Sequence, residues 1–217
     1  MSKNFKGYLG DQIGKLGTAV GRKWKRKMVY SAYQGKVKNP NTEEQQLVRA
    51  RFALLGSMAA SFLDATEIGF AQRADSKAMT ESDYFVKKNW RAVTATDPES
   101  IDVDYDAIVV SEGRTPWVAF GTPSFAEEAE VSVTFDTGNS QSNVSPDDKV
   151  YLFVYQPDTD MGVLSLPAAR GTGSITVAVP SIWSGMKVHL YGFAVGAHGK
   201  TTGKASMSAY VGTGTIA

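Results

Sequence analysis

The sequence has no cysteine and only two histidines, His189 and His198, among its 217 residues. Without thiols it can form neither a disulfide framework nor a thiolate metal site, and it has no cysteine nucleophile. Two histidines leave little for a histidine-built metal centre, and no G-x-S-x-G motif is present to hold a serine nucleophile. We therefore expect a protein that is not an enzyme and that has no cofactor, metal or small-molecule substrate.

Long apolar segments are also missing. No run of eighteen apolar residues occurs, as a membrane-spanning helix would need, so we expect no membrane partner. The first residues lack the apolar stretch and small-residue cleavage site of a secretory signal. These observations predict a protein located in the host cytoplasm before assembly, or in a larger particle such as a virion.

Charge divides the chain unevenly. Residues 1–40 contain ten Lys and Arg against one acid, Asp11, whereas the remaining residues contain thirteen Lys and Arg against twenty-one acids. A basic segment on an acidic body predicts an acidic partner, either nucleic acid or the body of a neighbouring copy. We divide the chain into a basic Gly-rich arm and strand (1–40), a helical segment (41–95) and a β-sandwich domain (100–217).

The arm contains a glycine at every third or fourth position between Gly7 and Gly21. Each glycine costs a helix about 1 kcal/mol relative to alanine, so the arm is expected to be extended or a Gly-rich hairpin. We expect it to run into a strand near 22–33. In such a strand the alternation of side chains would place Trp24, Met28 and Tyr30 on one face, together with Arg22 and Arg26.

The most distinctive local feature is a basic and aromatic run at the start of this predicted strand. It consists of Arg22, Lys23, Trp24, Lys25, Arg26 and Lys27. Cations can contact phosphates and an aromatic ring can stack on a base, which would fit nucleic acid. The same residues can equally pair with acids on a neighbouring protein. We favour the protein contact and keep nucleic acid as the alternative.

Two helices are expected in the middle segment. Thr42 with Gln45 matches a capping box that would begin the first helix. This helix has two apolar stripes, and a helix apolar on more than one side is usually buried between other elements or subunits. The stripes are Leu47, Leu54, Met58, Phe62 and Val48, Phe52, Leu55, Ala59, Leu63. Residues 80–83 predict a second N-cap, followed by a short helix through Trp90.

The last region is predicted to be strands separated by turn residues. Apolar segments occur at 131–135, 150–155, 175–179, 188–195 and 206–211, and Ile101, Val103 and Tyr105 alternate with aspartates. Short strands at this spacing indicate an antiparallel sandwich, immunoglobulin-like but without a disulfide. Its core is expected to contain Val133, Phe135, Phe153 and Leu190. The predicted fold class is therefore α+β.

Acidic residues offer two weak candidates for chemistry. Asp102, Asp104 and Asp106 could hold calcium if they shared a face, but the glycine and glutamate of a calcium loop are absent. A polar outer strand face is the better interpretation. Glu127, Glu128 and Glu130 resemble paired carboxylates, yet the surrounding sequence predicts no substrate cleft.

Histidines and tryptophans complete the list of candidates. His189 is expected on the outward side or edge of its strand and His198 in a turn, neither with a catalytic partner. An exposed Trp117 or Trp183 could stack on a sugar, which keeps a carbohydrate-binding module as a third hypothesis, supported only by fold analogy.

An ordered set of residues gives the first half of the chain a family resemblance. The set is Gly14-Lys15-Leu16-Gly17, Val20-Gly21-Arg22-Lys23-Trp24, Asn39-Pro40-Asn41-Thr42, Gln45, Arg49, Arg51-Phe52, Ile68-Gly69-Phe70, Asn89, Asp104-Tyr105 and Val110-Ser111-Glu112-Gly113. In this pattern, residues 1–115 resemble a family of uncharacterised proteins of Bacteroidota and their phages and mobile elements. Such proteins begin with a Gly-rich basic segment, continue through a Gln/Arg/Phe helix and end in a variable β region.

The resemblance implies no activity and no catalytic residues, but it implies a phage-like setting. We expect a non-enzymatic structural protein of a phage or phage-like particle, capsid-associated or tail. Its partners would be copies of itself and other particle proteins, met through the arm and the helices. The alternative is a nucleic-acid-binding accessory protein of a mobile element that uses residues 22–27.

Overall fold

The computed structural model describes residues 3–4, 12–24, 27–36, 40–125, 129–138 and 143–217, which form helices and antiparallel sheets, an α+β protein. The chain divides into two compact units, Met1–Thr42 and Glu43–Ala217. The helices and the C-terminal strands therefore belong to one unit. None of the described helices is both long and apolar enough to cross a membrane.

The first unit is a four-stranded antiparallel sheet in chain order. Its strands are β1 (Lys3–Asn4), β2 (Gln12–Leu16), β3 (Ala19–Trp24) and β4 (Lys27–Ala32). Gly17 begins the two-residue connection between β2 and β3 with φ +59°, the positive φ that favours glycine at this position of a hairpin loop. Of the two predicted forms of the arm, the hairpin is therefore the one observed here.

The predicted single strand near 22–33 is wrong. β3 ends at Trp24 and β4 begins at Lys27, and these two residues are paired across the hairpin. The concentration of charge in residues 22–27 thus marks a chain reversal. Lys25 and Arg26 lie outside the described residues.

The second unit begins with helices. They are α1 (Glu43–Ser61), α2 (Leu63–Gly69), α3 (Ala71–Ser76) and α4 (Glu81–Asn89), followed by a single 3-10 turn at Trp90–Ala92. The first helix begins directly after Thr42. The predicted second N-cap is confirmed, because the Thr80 hydroxyl accepts a hydrogen bond from the Asp83 backbone N–H at 3.1 Å.

Nine strands follow in the described part of this unit. They are β5 (Val93–Asp97), β6 (Ser100–Val103), β7 (Glu130–Thr134), β8 (Lys149–Gln156), β9 (Met161–Leu164), β10 (Ala168–Ala169), β11 (Ser174–Ala178), β12 (Lys187–Val195) and β13 (Ala209–Thr215). β7, β8, β11 and β12 confirm the predicted strands to within one residue at each end. The predicted strand at 206–211 begins three residues later, and the one at 101–105 ends at Val103, before a 3-10 turn at Tyr105–Ala107.

A five-stranded central sheet organises the unit. β8 pairs with β12 and β12 with β13, while β9 and β10 both pair with the other edge of β8. β5 with β6 and β7 with β11 form separate antiparallel pairs. β8 and β12 are apolar almost throughout and buried along nearly their whole length, as expected for strands covered on both faces.

The two faces of the central sheet have different covers. On one face Leu152 and Leu190 share a core with Val133 and Phe135 from the β7–β11 side, as the sequence predicts. Phe153, predicted for the same core, instead points to the opposite face. There its ring centroid lies 4.7 Å from that of Phe62, at the end of α1. The helices therefore cover a face of the sheet that the sequence alone did not identify.

Candidate interaction surface

The pairing of β2, β3 and β4 decides which N-terminal side chains lie together. Directly paired residues of antiparallel strands point to the same side, and side chains alternate along each strand. One side, which we call the basic face, contains Lys15, Val20, Arg22, Trp24, Lys27 and Val29. Of the six residues predicted as a contact site, the described sheet thus brings together Arg22, Trp24 and Lys27.

Lys23 lies on the opposite face, paired with Met28. Tyr30 is on that side too, so the prediction that Trp24, Met28 and Tyr30 share a face is wrong. Gly21 is the one buried residue of the sheet among those described. A Cβ there would approach the Tyr30 ring to 2.9 Å and collide with the Gln12 carbonyl, so this position requires glycine.

The described part of the sheet carries no carboxylate. Residues 12–24 and 27–36 include Lys15, Arg22, Lys23, Lys27 and Lys36 but no Asp or Glu. The ion pairs formed between described residues all lie in the second unit. Lys15 places its ammonium 3.8 Å from the centre of the Tyr33 ring, a cation–π contact that leaves the charge in place.

Apolar side chains of the sheet are also accessible. Leu16, Trp24, Tyr30 and Tyr33 are each between 47% and 53% exposed. A sheet of three or more strands normally buries one apolar face against another element. Here aromatic rings and cations are presented together, a composition suited to contact with an acidic surface.

The sequence of this chain matches a known protein family. The chain is a member of DUF6266, a family of unknown function. The family match spans residues 10–212 and so includes most of the N-terminal sheet as well as the second unit. The expectation of an uncharacterised family is confirmed. No curated protein matches the sequence.

One solved structure similar to the DUF6266 chain is the fn3 domain of the human collagen alpha-1(XX) chain. The two are 15% identical, and the match covers 49% of this chain and 84% of the collagen domain with a TM-score of 0.32. This likeness is too distant to define the fold.

His189 of the DUF6266 protein is buried, only 4% exposed, and the prediction of an outward or edge position is wrong. Its ring stacks on Tyr105 with centroids 4.0 Å apart, and its Nδ1 lies 2.9 Å from the Tyr210 hydroxyl. Burial and the nearby charge of Lys187 lower the pKa of His189 to about 4, against an opposing effect of Asp106. The imidazole is a neutral part of the core.

His198 lies at the surface, in the segment leading into the 3-10 turn Gly199–Thr201, with Nε2 3.1 Å from an Asp147 carboxylate oxygen. Both side chains are about two-thirds exposed, at 66% and 71%. Such a pair contributes little to stability and is not enclosed in a cleft.

Two partly buried carboxylates, Glu112 and Asp160, contact side chains of the helices. Lys88 and Arg73 both contact Glu112, at 2.7 and 3.4 Å. Burial raises the pKa of Glu112, but these cations and the Tyr84 hydroxyl outweigh it and the pKa is lowered. Asp160 likewise accepts hydrogen bonds from Ser57, Ser61 and Tyr155, which lower its pKa despite burial.

The remaining sequence candidates are not brought together. Asp102 lies in β6 and Asp106 in the following 3-10 turn, and no group of three metal-ligating residues occurs among the described positions. Glu127 and Glu128 lie outside the described residues. Trp183 is completely buried, so stacking on a sugar through this residue is excluded, whereas Trp117 is 58% exposed.

A groove on the second unit between α1 and α4 was not predicted from the sequence. Its signal was the second apolar stripe of α1, which is exposed at Val48 and Phe52 and buried at Leu55 and Ala59.

Proposed function

We propose that this DUF6266 protein is a non-enzymatic structural protein of a phage or phage-like particle. It would assemble with neighbouring copies through the basic face of its N-terminal sheet. The observation that carries this proposal is the face on which Arg22, Trp24 and Lys27 lie together, with no Asp or Glu among its described residues. The phage setting rests on the resemblance of residues 1–115, and the capsid and tail positions both fit it.

The apolar part of the contact would come from the aromatic side chains. Trp24 is 52% exposed. Covering the open half of a tryptophan removes about 100 Å² from water, which favours association by about 2.5 kcal/mol. Leu16 and Tyr30 point to the other side of the sheet, so the apolar contribution of the basic face comes mainly from Trp24. The loss of translational and side-chain freedom must be subtracted from it.

The partner of this face would be the second unit of a neighbouring copy. Residues 43–217 hold thirteen Lys and Arg against twenty-one acids, whereas residues 1–42 hold ten against one. Opposite net charges on the two units favour contact between the first unit of one copy and the second unit of the next. Such attraction raises the rate of encounter and weakens as salt is added.

The β region would complete this subunit as an immunoglobulin-like sandwich. The packing of β7 and β11 against one face of the central sheet supports it, because inward side chains of both layers form one cluster. The helices on the other face would stiffen the subunit within an assembly.

Light scattering tests the assembly at about 50 and 500 mM salt, on protein freed of nucleic acid. The variant Arg22→Glu/Lys27→Glu changes two charges of the basic face, and Lys23→Glu/Lys36→Glu is the control with the same net charge. We expect the wild type and the control to form oligomers at low salt and the basic-face variant to remain monomeric. A wild type that is monomeric in every condition would contradict the proposal, as would equal effects of the two variants.

The alternative is nucleic-acid binding through the same face. Its support is the same grouping of Arg22, Trp24 and Lys27, which fits phosphates with a stacked base. Anisotropy of labelled single-stranded DNA across a salt series distinguishes it. Loss of two phosphate contacts in Arg22→Glu/Lys27→Glu should lower the slope of log K against log salt by about 1.4. A monomer that binds DNA with this behaviour would favour the alternative over assembly.

A further inference from the structure

A groove of about 870 Å³ opens on the second unit between α1, α4 and the chain that precedes α4. We call it the helix groove. It is lined by Phe52, Met79, Tyr84, Val86 and Trp90 and rimmed by Lys77, Asp83, Lys87, Lys88 and Arg91. Its volume lies within the range of about 300–1,000 Å³ that is usual for ligand-binding clefts.

On the side of α1 the groove is lined by Phe52, which belongs to an exposed apolar part of this helix. Val48 and Phe52, one helical turn apart, are 52% and 58% exposed. Further along the same stripe Leu55 and Ala59 are buried. The second apolar stripe of α1 is therefore covered in its later part and open at Val48 and Phe52.

Arg51 holds the Trp90 side chain of the groove in place. Arg51 lies with its guanidinium carbon 4.3 Å from the centre of the Trp90 ring and donates a hydrogen bond of 2.5 Å to the Trp90 carbonyl. This pair fixes the indole in the lining of the groove, to which Phe52 also belongs. Because a fixed aromatic surface loses little freedom on binding, it suits a buried anchor side chain.

Charge around the rim is mainly positive. Lys88 is paired with Glu112, but Lys77, Lys87 and Arg91 make no ion pair with any described residue. Asp83 is the one acid that lines the groove in the described part of the chain. A ligand for this site must therefore combine negative charge with apolar surface.

We propose that the helix groove binds an acidic segment of a partner protein. The segment would insert a leucine or an aromatic side chain between Phe52 and Trp90 and place carboxylates against Lys77, Lys87 and Arg91. This goes beyond self-assembly through the basic face, because it concerns a different surface and a different partner. The N-terminal sheet of a second copy is a poor occupant, since its described residues include cations but no acid.

Binding of a designed peptide to the full-length protein tests the proposal. The probe is a fluorescein-labelled 16-residue peptide with leucines at helical spacing and glutamates between them. One matched peptide replaces the glutamates by lysine and another replaces the leucines by serine. We expect the acidic peptide to bind at least about tenfold more tightly than either control, as loss of a central anchor or of charge pairing commonly costs.

Protein variants locate the site. Phe52→Ser and Lys87→Glu/Arg91→Glu should each weaken the acidic peptide about tenfold or more. Leu166→Ser, at a position 88% exposed, and Lys149→Glu/Lys200→Glu are the controls matched in chemistry and should bind normally. Circular dichroism of each variant verifies that it is folded. Binding that is absent, or equal in all variants, would overturn the proposal.

Two further results separate this site from the basic face. Arg22→Glu/Lys27→Glu should leave peptide binding unchanged, so the groove can be correct even where assembly fails. If Phe52→Ser instead abolishes oligomers that persist at high salt, the groove is a contact between copies and the acidic-partner proposal is wrong.

Discussion

The burial of His189 should make the stability of the protein depend on pH. The imidazole is 4% exposed beneath Tyr105, with the Tyr210 hydroxyl 2.9 Å from Nδ1. Burial and the charge of Lys187 lower the pKa of His189 from 6.5 to about 4. The side chain is therefore mainly neutral in the folded protein between pH 7 and pH 5.

The sign follows from proton uptake. In the unfolded chain His189 regains a pKa near 6.5, so the unfolded state binds more protons between pH 6.5 and 4 and gains stability as the pH falls. With these two pKa values, the free energy of unfolding should be about 2 kcal/mol lower at pH 5 than at pH 7 through this residue alone. The loss should reach about 3 kcal/mol by pH 4.

Urea unfolding at pH 7, 6 and 5 measures this loss when wild type is compared with His189→Gln. Glutamine retains a group that can hydrogen-bond to Tyr210 but does not titrate, so the contributions of all other groups cancel in the difference. The wild type should lose about 2 kcal/mol more than the variant between pH 7 and 5. His198→Gln, at the exposed histidine, is the control and should follow the wild type. Parallel curves for wild type and His189→Gln would refute the reasoning.

Three further predictions concern two glycines and a buried amide. Gly56→Ala should stabilise the protein by about 0.5–1 kcal/mol, because an added Cβ meets nothing within 4 Å on α1. Gly162→Ala should destabilise it by about 1–3 kcal/mol, since its Cβ would lie 2.2 Å from the Phe153 ring; equal unfolding midpoints in urea would contradict this pair. Asn89→Ala should cost about 2–4 kcal/mol, because the amide donates to the Val109 carbonyl at 2.9 Å and accepts from its N–H at 2.8 Å. Neutral surface substitutions change the free energy of unfolding by up to about 0.5 kcal/mol. A change no larger than this in Asn89→Ala would show that water replaces the amide.

Elements coded by adjacent residues were predicted well. The N-cap at Thr80 depends on a hydroxyl that accepts from a backbone N–H three residues later, and the start of α1 depends on residues next to the helix. β7 and β11 alternate buried and exposed residues, a pattern visible in any short window of the sequence. The same local view failed at the basic run, where dense charge concealed a chain reversal after Trp24.

The candidate surface was predicted in composition and only partly in arrangement. Alternation along a strand correctly predicts that Arg22 and Trp24 share a face and that Lys23 does not. The pairing of β3 with β4, which the sequence did not reveal, adds Lys27 to the side of Arg22 and Trp24. The helix groove was less predictable still, since Phe52 and Trp90 meet only when α1 and α4 pack together.

By itself, the sequence determined the α+β class, most strands, both main helices and the separation of a basic first unit from an acidic second one. These properties depend on composition and on contacts a few residues apart. Tertiary structure decided that both faces of the central sheet are covered, and with it the burial of His189 and the helix-facing position of Phe153. The helices that cover the sheet lie about a hundred residues earlier in the chain. A periodic pattern shows that successive side chains of a strand point to opposite faces, but it does not show which element packs against each face.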